Sequence, residues 1–81
     1  MIERNDYLKL LQKNMVEPES VKVWYEGNEY YPLSYIMWFN HKGETQNSAE
    51  LMSAKSKTVV RARLFDIFDN EADSKCRFGV T

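Results

Sequence analysis

Residues 29–40, EYYPLSYIMWFN, constrain the fold of this chain more than any other stretch. They hold five of its eleven aromatic residues, and turn-forming residues bracket them, GN before and HKG after. Aromatic and β-branched side chains between turn signals are typical of strands. We therefore predict that this stretch is the central strand of a small antiparallel sheet.

A first hairpin is predicted between residues 21–26 and this central strand. Gly27-Asn28 is expected to form its two-residue turn, because glycine readily adopts the positive φ that such turns need. Pro32 cannot donate to a strand ladder, so it is expected at an open edge or at a bulge. The expected pairs are Tyr25 with Tyr30, Trp24 with Tyr31, Val23 with Pro32, and Glu26 with Glu29.

A second hairpin follows from the sequence Asn40-His41-Lys42-Gly43, which suits a type I turn with Gly43 in a left-handed conformation. The strand after it is predicted over residues 45–53, although residues 49–55 are also compatible with a helix. The expected pairs are Phe39 with Thr45, Met37 with Asn47, Tyr35 with Ala49, Trp38 with Gln46, and Ile36 with Ser48.

A helix is predicted over residues 5–15, capped by Asn5 or Asp6 and ended by the proline in VEPES. Its apolar residues recur at helical spacing and predict a face that packs on the sheet. The residues of this stripe are Tyr7, Leu8, Leu11 and Met15.

The C-terminal third alternates between apolar and polar residues at first, which predicts a fourth strand over residues 58–68. An acidic loop is expected over residues 66–73. The tail, residues 69–81, is expected either to add a short edge strand at 76–80 or to be flexible.

These elements predict one α+β domain over residues 1–81, with an N-terminal helix packed on an antiparallel meander of four or five strands. One helix can cover only one face of such a sheet. The other face is expected to display Ile36, Trp38, Gln46, Ser48, Glu50, Arg61 and Arg63.

Composition narrows the classes of function. The net charge of −1 provides no global attraction for nucleic acid or anionic lipid. A single cysteine, Cys76, excludes an internal disulfide and fits a reducing compartment. No apolar run reaches the length of a membrane span, and the start MIERND is too charged for a signal peptide. We therefore expect a cytoplasmic protein that does not bind membranes.

Catalysis and cofactor binding find little support in the sequence. The one histidine, His41, lies in a predicted turn, and no base is placed beside a nucleophile. No Cys/His spacing suits zinc, and the acidic residues 66–73 lack the pattern of a calcium loop. We predict no enzyme activity, no metal and no cofactor.

The basic segment 55–63 contains the candidate binding residues. Arg61 and Arg63 are predicted to share a face with Trp38, and arginine and tryptophan are enriched at protein interfaces. The same combination can bind single-stranded nucleic acid, and it also fits a solvated face with ordinary ion pairs to Glu50. The candidate binding residues are Ile36, Trp38, Lys55, Lys57, Arg61 and Arg63.

Strand and turn residues between positions 21 and 67 form a further pattern. Its members are Trp24, Tyr25, Gly27, Tyr31, Pro32, Phe39, Gly43, Ala49, Leu51, Val59, Val60 and Leu64. This pattern resembles short uncharacterised proteins of prophages and conjugative elements in Gram-positive bacteria. The resemblance implies a mobile-element origin, and small proteins of such elements often inhibit host defence, anti-CRISPR proteins among them. It implies no functional residues.

Three functions follow as hypotheses. The first is a module that binds a host protein. The second is a nucleic-acid binder that uses the arginines and lysines of the basic segment. The third is a homodimer that buries the face carrying Ile36 and Trp38.

Overall fold

The structure is a computed structural model that describes residues 2–77, and its five strands form one antiparallel sheet in the order β4-β3-β2-β1-β5. This confirms the predicted α+β fold with an N-terminal helix on an antiparallel sheet. In chain order the elements are α1 (Arg4–Val16), β1 (Val23–Tyr25), β2 (Asn28–Phe39), β3 (Thr45–Ser53), β4 (Val59–Arg63), a 3₁₀ helix (Leu64–Asp66), β5 (Ile67–Phe68) and α2 (Glu71–Arg77).

The hairpin of β2 and β3 has the predicted register, and the helical alternative for residues 49–55 is wrong because β3 runs to Ser53. Its turn is also as expected. Gly43 has φ 80°, and its N–H donates to the Asn40 carbonyl at 2.9 Å. The Asn40 side chain accepts two further backbone hydrogen bonds, from Lys42 and Glu44. All five predicted pairs are present, from Phe39 with Thr45 to Tyr35 with Ala49.

The register predicted for the first hairpin is wrong. Glu26 and Gly27 occupy the turn with φ 52° and 78°, where the sequence favoured Gly27 and Asn28. Two consecutive positive φ values are typical of a type I′ turn, and the glutamate takes the position that disfavours it. The observed pairs are Val23 with Tyr30, Trp24 with Glu29, and Tyr25 with Asn28.

The register of β2 against β3 shifts between Pro32 and Ser34, so Leu33 forms the predicted bulge. Two side chains of α1 bind the carbonyls on either side of it. Asn14 Nδ2 donates to the Pro32 carbonyl at 3.1 Å, and the Tyr7 hydroxyl donates to the Ser34 carbonyl at 2.8 Å. Burial raises the pKa of the Tyr7 hydroxyl well above its usual range, so it remains a neutral donor. These bonds fix the helix on the strand.

The single strand predicted over residues 58–68 is wrong. β4 ends at Arg63, the 3₁₀ helix turns the chain, and β5 then pairs with β1 at the opposite edge of the sheet. This turn sends the apolar side chains that follow β4 in different directions. Leu64 and Ile67 lie in the core, whereas Phe65 is exposed.

The acidic segment also differs from the prediction, because Glu71–Arg77 is a helix where the sequence suggested a loop and then an edge strand. Asn70 acts as its cap, since its side chain accepts a hydrogen bond from the Asp73 N–H at 2.8 Å. Ser74 is buried and accepts a hydrogen bond from the Gly27 N–H at 2.9 Å, which joins α2 to the first turn. The rest of the predicted edge strand, residues 78–80, lies outside the described residues.

The core lies between α1 and one face of the sheet, which we call the covered face. Tyr7 and Leu11 of the predicted stripe are buried, but Met15 is 70% exposed and Asn14 is buried instead. The helix begins one residue earlier than predicted, and Glu3, its cap residue, makes no side-chain capping bond. The core residues are Ile2, Tyr7, Leu11, Val23, Ala49, Leu51, Ala62, Leu64 and Ile67.

Candidate functional site

The face of the sheet opposite α1, which we call the open face, carries four of the six predicted binding residues. Residues paired across antiparallel strands lie about 5 Å apart on the same side, so the register defines rows of neighbouring side chains. From one end of the sheet to the other, the rows are Tyr31, Met52 and Val59; Ser34, Glu50 and Arg61; Ile36, Ser48 and Arg63; and Trp38 with Gln46.

Trp38 lies in the last row of this face, next to the turn between β2 and β3. Its side chain is 44% exposed, and those of its neighbours Met37 and Phe39 are 48% and 64% exposed. Met37 and Phe39 point to the side of the covered face, beyond the part that α1 covers. The three consecutive side chains, which we call the hairpin end, therefore expose large apolar groups on both sides of one strand.

Arg61 and Arg63 lie on the same face as Trp38, two strands away on β4. Arg63 is in the row next to that of Trp38, and Arg61 is one row further along. Both are exposed, and neither makes an ion pair with any of residues 2–77. Arg61 is paired with Glu50 in the ladder, but that carboxylate accepts a hydrogen bond from the Ser34 hydroxyl at 3.0 Å. Glu50 forms no ion pair with either arginine, so both guanidinium groups can bind another molecule.

Lys55 and Lys57 do not join this group. They follow β3 at the end opposite Trp38, separated from it by most of the length of the strand. Lys57 is already engaged, because its Nζ lies 2.7 Å from Glu19 Oε1 and 5.2 Å from the centre of the Tyr31 ring. The hydrogen bond to Glu19 raises the pKa of the Lys57 ammonium group above its usual value. Lys55 is exposed in the turn.

A cleft of about 430 Å³ borders the open face at Arg63, between the start of α1 and the ends of β3 and β4. Its lining combines polar and apolar side chains, among them Arg4, Gln46, Asn47, Arg63, Leu64 and Phe65. The cleft extends the region in which a bound molecule can contact Arg63.

Other groups with possible chemistry are dispersed. His41 is exposed in the second turn, and Cys76 is an exposed free thiol on α2. Within residues 2–77, no three side chains of the histidine, cysteine, aspartate and glutamate types lie close enough together to hold a metal ion. No helix in the described part of the chain is long and apolar enough to cross a membrane.

Sequence reasoning missed the exposure of Met37 and Phe39, which it placed on the side packed against the helix. The lengths of the helix and the strand already indicated this exposure. The 13 residues of α1 span about 20 Å, whereas the 12 residues of β2 span roughly 40 Å, so one helix leaves part of the strand uncovered.

Comparison with known proteins provides no relative for this arrangement: no protein-family model, no curated protein and no solved structure matches the chain.

Proposed function

We propose that this chain is a non-enzymatic module that binds another protein through the hairpin end and the adjoining arginines of the open face. The observation that carries the proposal is the exposure of three consecutive large apolar side chains, Met37, Trp38 and Phe39. A small soluble domain with a thin core does not usually expose such side chains unless they contact something else.

The energetics of the hairpin end favour a protein partner. The exposed parts of Trp38 and Phe39 together amount to about 200 Å², since a large aromatic side chain has an area of 150–250 Å². Burying them would contribute about 5 kcal/mol before the entropic cost of association is subtracted. Tryptophan and arginine are also enriched among the residues that contribute most of the binding energy at protein interfaces.

The chemistry of this surface indicates what kind of protein would bind to it. A protein that fits it has an apolar pocket for Trp38 and carboxylates at the rim for Arg61 and Arg63, because no carboxylate in the described part of the chain pairs with these arginines. The resemblance to mobile-element proteins favours a protein of the bacterial host, and an inhibitor of host defence of the anti-CRISPR kind is one such role.

The test is affinity capture from the native host by the full chain, followed by mass spectrometry. Trp38→Ala and the double variant Arg61→Ala/Arg63→Ala should each abolish capture of the specific protein. Met15→Ala removes a comparable exposed apolar side chain from α1, and Lys9→Ala/Lys13→Ala removes two positive charges there, so both controls should capture it normally. If the open-face variants and the controls behave alike, the binding surface lies elsewhere.

Binding of single-stranded nucleic acid is the second candidate, favoured by the two arginines on the same face as Trp38, which make no ion pair with the described residues. Lys57 is paired with Glu19 and Lys55 is distant, so the basic surface is smaller than the sequence predicted. Two phosphate contacts would lower the logarithm of affinity by about 1.4 for each tenfold rise in salt. An oligonucleotide whose binding requires Trp38 and follows this slope would favour nucleic acid, whereas no binding at low salt would remove this candidate.

A further inference from the structure

Among residues 2–77, no strand neighbours the edge of β2 that faces away from β3 over the last five residues of β2, Tyr35 to Phe39. β1 pairs only with Asn28, Glu29 and Tyr30, whereas β3 continues along the other edge as far as Phe39. The sheet is therefore open on the β1 side of this segment.

The closing turn shows which backbone groups face the open edge. The Asn40 N–H donates to the Glu44 carbonyl at 3.0 Å, and hydrogen-bonded pairs alternate along an antiparallel ladder. Trp38 and Ile36 therefore bond to β3, while Tyr35, Met37 and Phe39 direct their N–H and C=O groups outward. Among residues 2–77, no other backbone or side-chain group bonds to these outward groups.

The same edge is closed before the bulge. Pro32 has no N–H, its carbonyl accepts the bond from Asn14, and Leu33 interrupts the ladder. Prolines, bulges and charges are the usual devices that prevent a strand edge from pairing with another chain. Residues 35–39, YIMWF, contain none of them.

We propose that two copies of this chain pair through this edge, antiparallel about a twofold axis at Met37, and form one continuous sheet. In this register Met37 lies opposite its own counterpart, and Tyr35 lies opposite Phe39 of the second copy. The outward groups at these three positions then form reciprocal pairs of hydrogen bonds.

A second copy suits this edge because the segment is compatible with itself. No charged residue occurs from position 30 to position 41, so pairing brings no like charges together. Tyrosine would pack beside phenylalanine on one side of the sheet, and Ile36 beside Trp38 on the other, which are favourable cross-strand pairs. Pairing would also place the open faces of the two copies side by side in one surface. The dimer would therefore enlarge the proposed binding surface, but dimerisation does not depend on the proposed function.

The size of the contact predicts a weak dimer. The hairpin end exposes about 300 Å² in each copy, so even its complete burial in both copies would remove only roughly 600 Å², below the 1,200–2,000 Å² of stable interfaces. We therefore expect association that depends on protein concentration in the micromolar range.

Sedimentation equilibrium of the full chain tests this. The apparent mass should rise from 9.6 kDa toward twice that value as concentration increases. Met37→Lys places two positive charges directly opposite each other and should raise the dissociation constant at least tenfold. Met15→Lys makes the same change at an exposed position on α1 and should leave it unchanged.

Amide hydrogen exchange locates the contact. The amides of Met37 and Phe39 should become protected as concentration rises, whereas that of Trp38, bonded to β3, should be protected throughout. A chain that remains monomeric at about 1 mM, where even an affinity of −4 kcal/mol gives detectable pairing, would overturn the proposal. A dimer that Met37→Lys does not weaken, or that leaves those amides unprotected, would overturn it equally.

Discussion

Residues 28–32 and residues 34–39 belong to the same strand, β2, on either side of the bulge at Leu33, and both are rich in aromatic side chains. The first half pairs with β1 over residues 28–30 and with β3 over residues 30–32, and Asn14 of α1 binds the carbonyl of Pro32, its last residue. Within the described part of the chain the second half pairs with β3 alone, and it exposes Met37, Trp38 and Phe39. Two segments of similar composition therefore differ in burial: the first contributes to the core, and the second remains exposed.

The difference arises from what is placed beside each half. Tyr7 and Asn14 of α1 bond to the strand at Ser34 and Pro32, so the helix is held at the bulge. The last residues of β2 extend beyond it. The core does not need this extension, and the proposed function assigns it to binding.

The largest expected difference in the free energy of unfolding is between a substitution in the core beside the first half and a substitution in the hairpin end. Leu51, which pairs with Pro32, is fully buried, so Leu51→Ala should lower the free energy of unfolding by about 2–5 kcal/mol. Met37→Ala, in the second half, should lower it by less than about 1 kcal/mol because the side chain is already half exposed. Urea denaturation measures both, and equal losses would show that the second half is packed as tightly as the first.

The next effect concerns the bond that fixes α1 at the bulge. Asn14 is buried and bonds to both the Pro32 carbonyl and the Val21 N–H, so Asn14→Ala should lower the free energy of unfolding by about 1–3 kcal/mol. Asn5→Ala removes an exposed asparagine from the same helix and should change it by less than about 0.5 kcal/mol. A neutral Asn14→Ala would mean that packing alone positions the helix.

A smaller effect depends on pH. Burial raises the pKa of Tyr7, so the native state keeps its proton above the ordinary tyrosine pKa of about 10, where the unfolded chain loses it. The contribution of Tyr7 to the free energy of unfolding is therefore fully present below pH 10. Above pH 10 the free energy of unfolding should fall by up to about 1.4 kcal/mol per pH unit.

Denaturant titrations between pH 8 and 11 measure this loss, and Tyr7→Phe isolates it. Burial also raises the pKa of Tyr25, so some alkaline loss should remain in that variant. An unchanged alkaline slope in Tyr7→Phe would show that the hydroxyl of Tyr7 is not buried as described.

The sequence predicted the second hairpin in full because Asn40 and Gly43 suit only one turn at that position, and a fixed turn determines every pair beyond it. The first hairpin failed because the glycine of a type I′ turn can occupy either central position, and the choice placed Glu26 in a left-handed conformation. A shift of this kind moves the pairs by two residues and leaves each side chain on the same face. The predicted faces were therefore correct despite the wrong register.

Other errors have different physical reasons. Alternation of apolar residues shows that a segment is a strand, but not the sheet edge at which it pairs, so the crossover from β4 to β5 was missed. The helix α2 had a signal that was overlooked, namely Asn70 followed three residues later by Asp73, which is typical of a helix start. The position of Arg61 and Arg63 on one face followed from period-two alternation alone, whereas Lys55 and Lys57 lie in a turn whose direction alternation does not determine.

The central claim is that the hairpin end is exposed in the isolated chain, and acrylamide quenching of Trp38 tests it most directly. The chain has two tryptophans, so Trp24→Phe leaves Trp38 as the only reporter. In dilute solution we expect red-shifted emission and a quenching constant about half that of free tryptophan, in line with its 44% exposure. Blue-shifted emission that acrylamide barely quenches would contradict the account, because Trp38 would then lie inside the protein's own core.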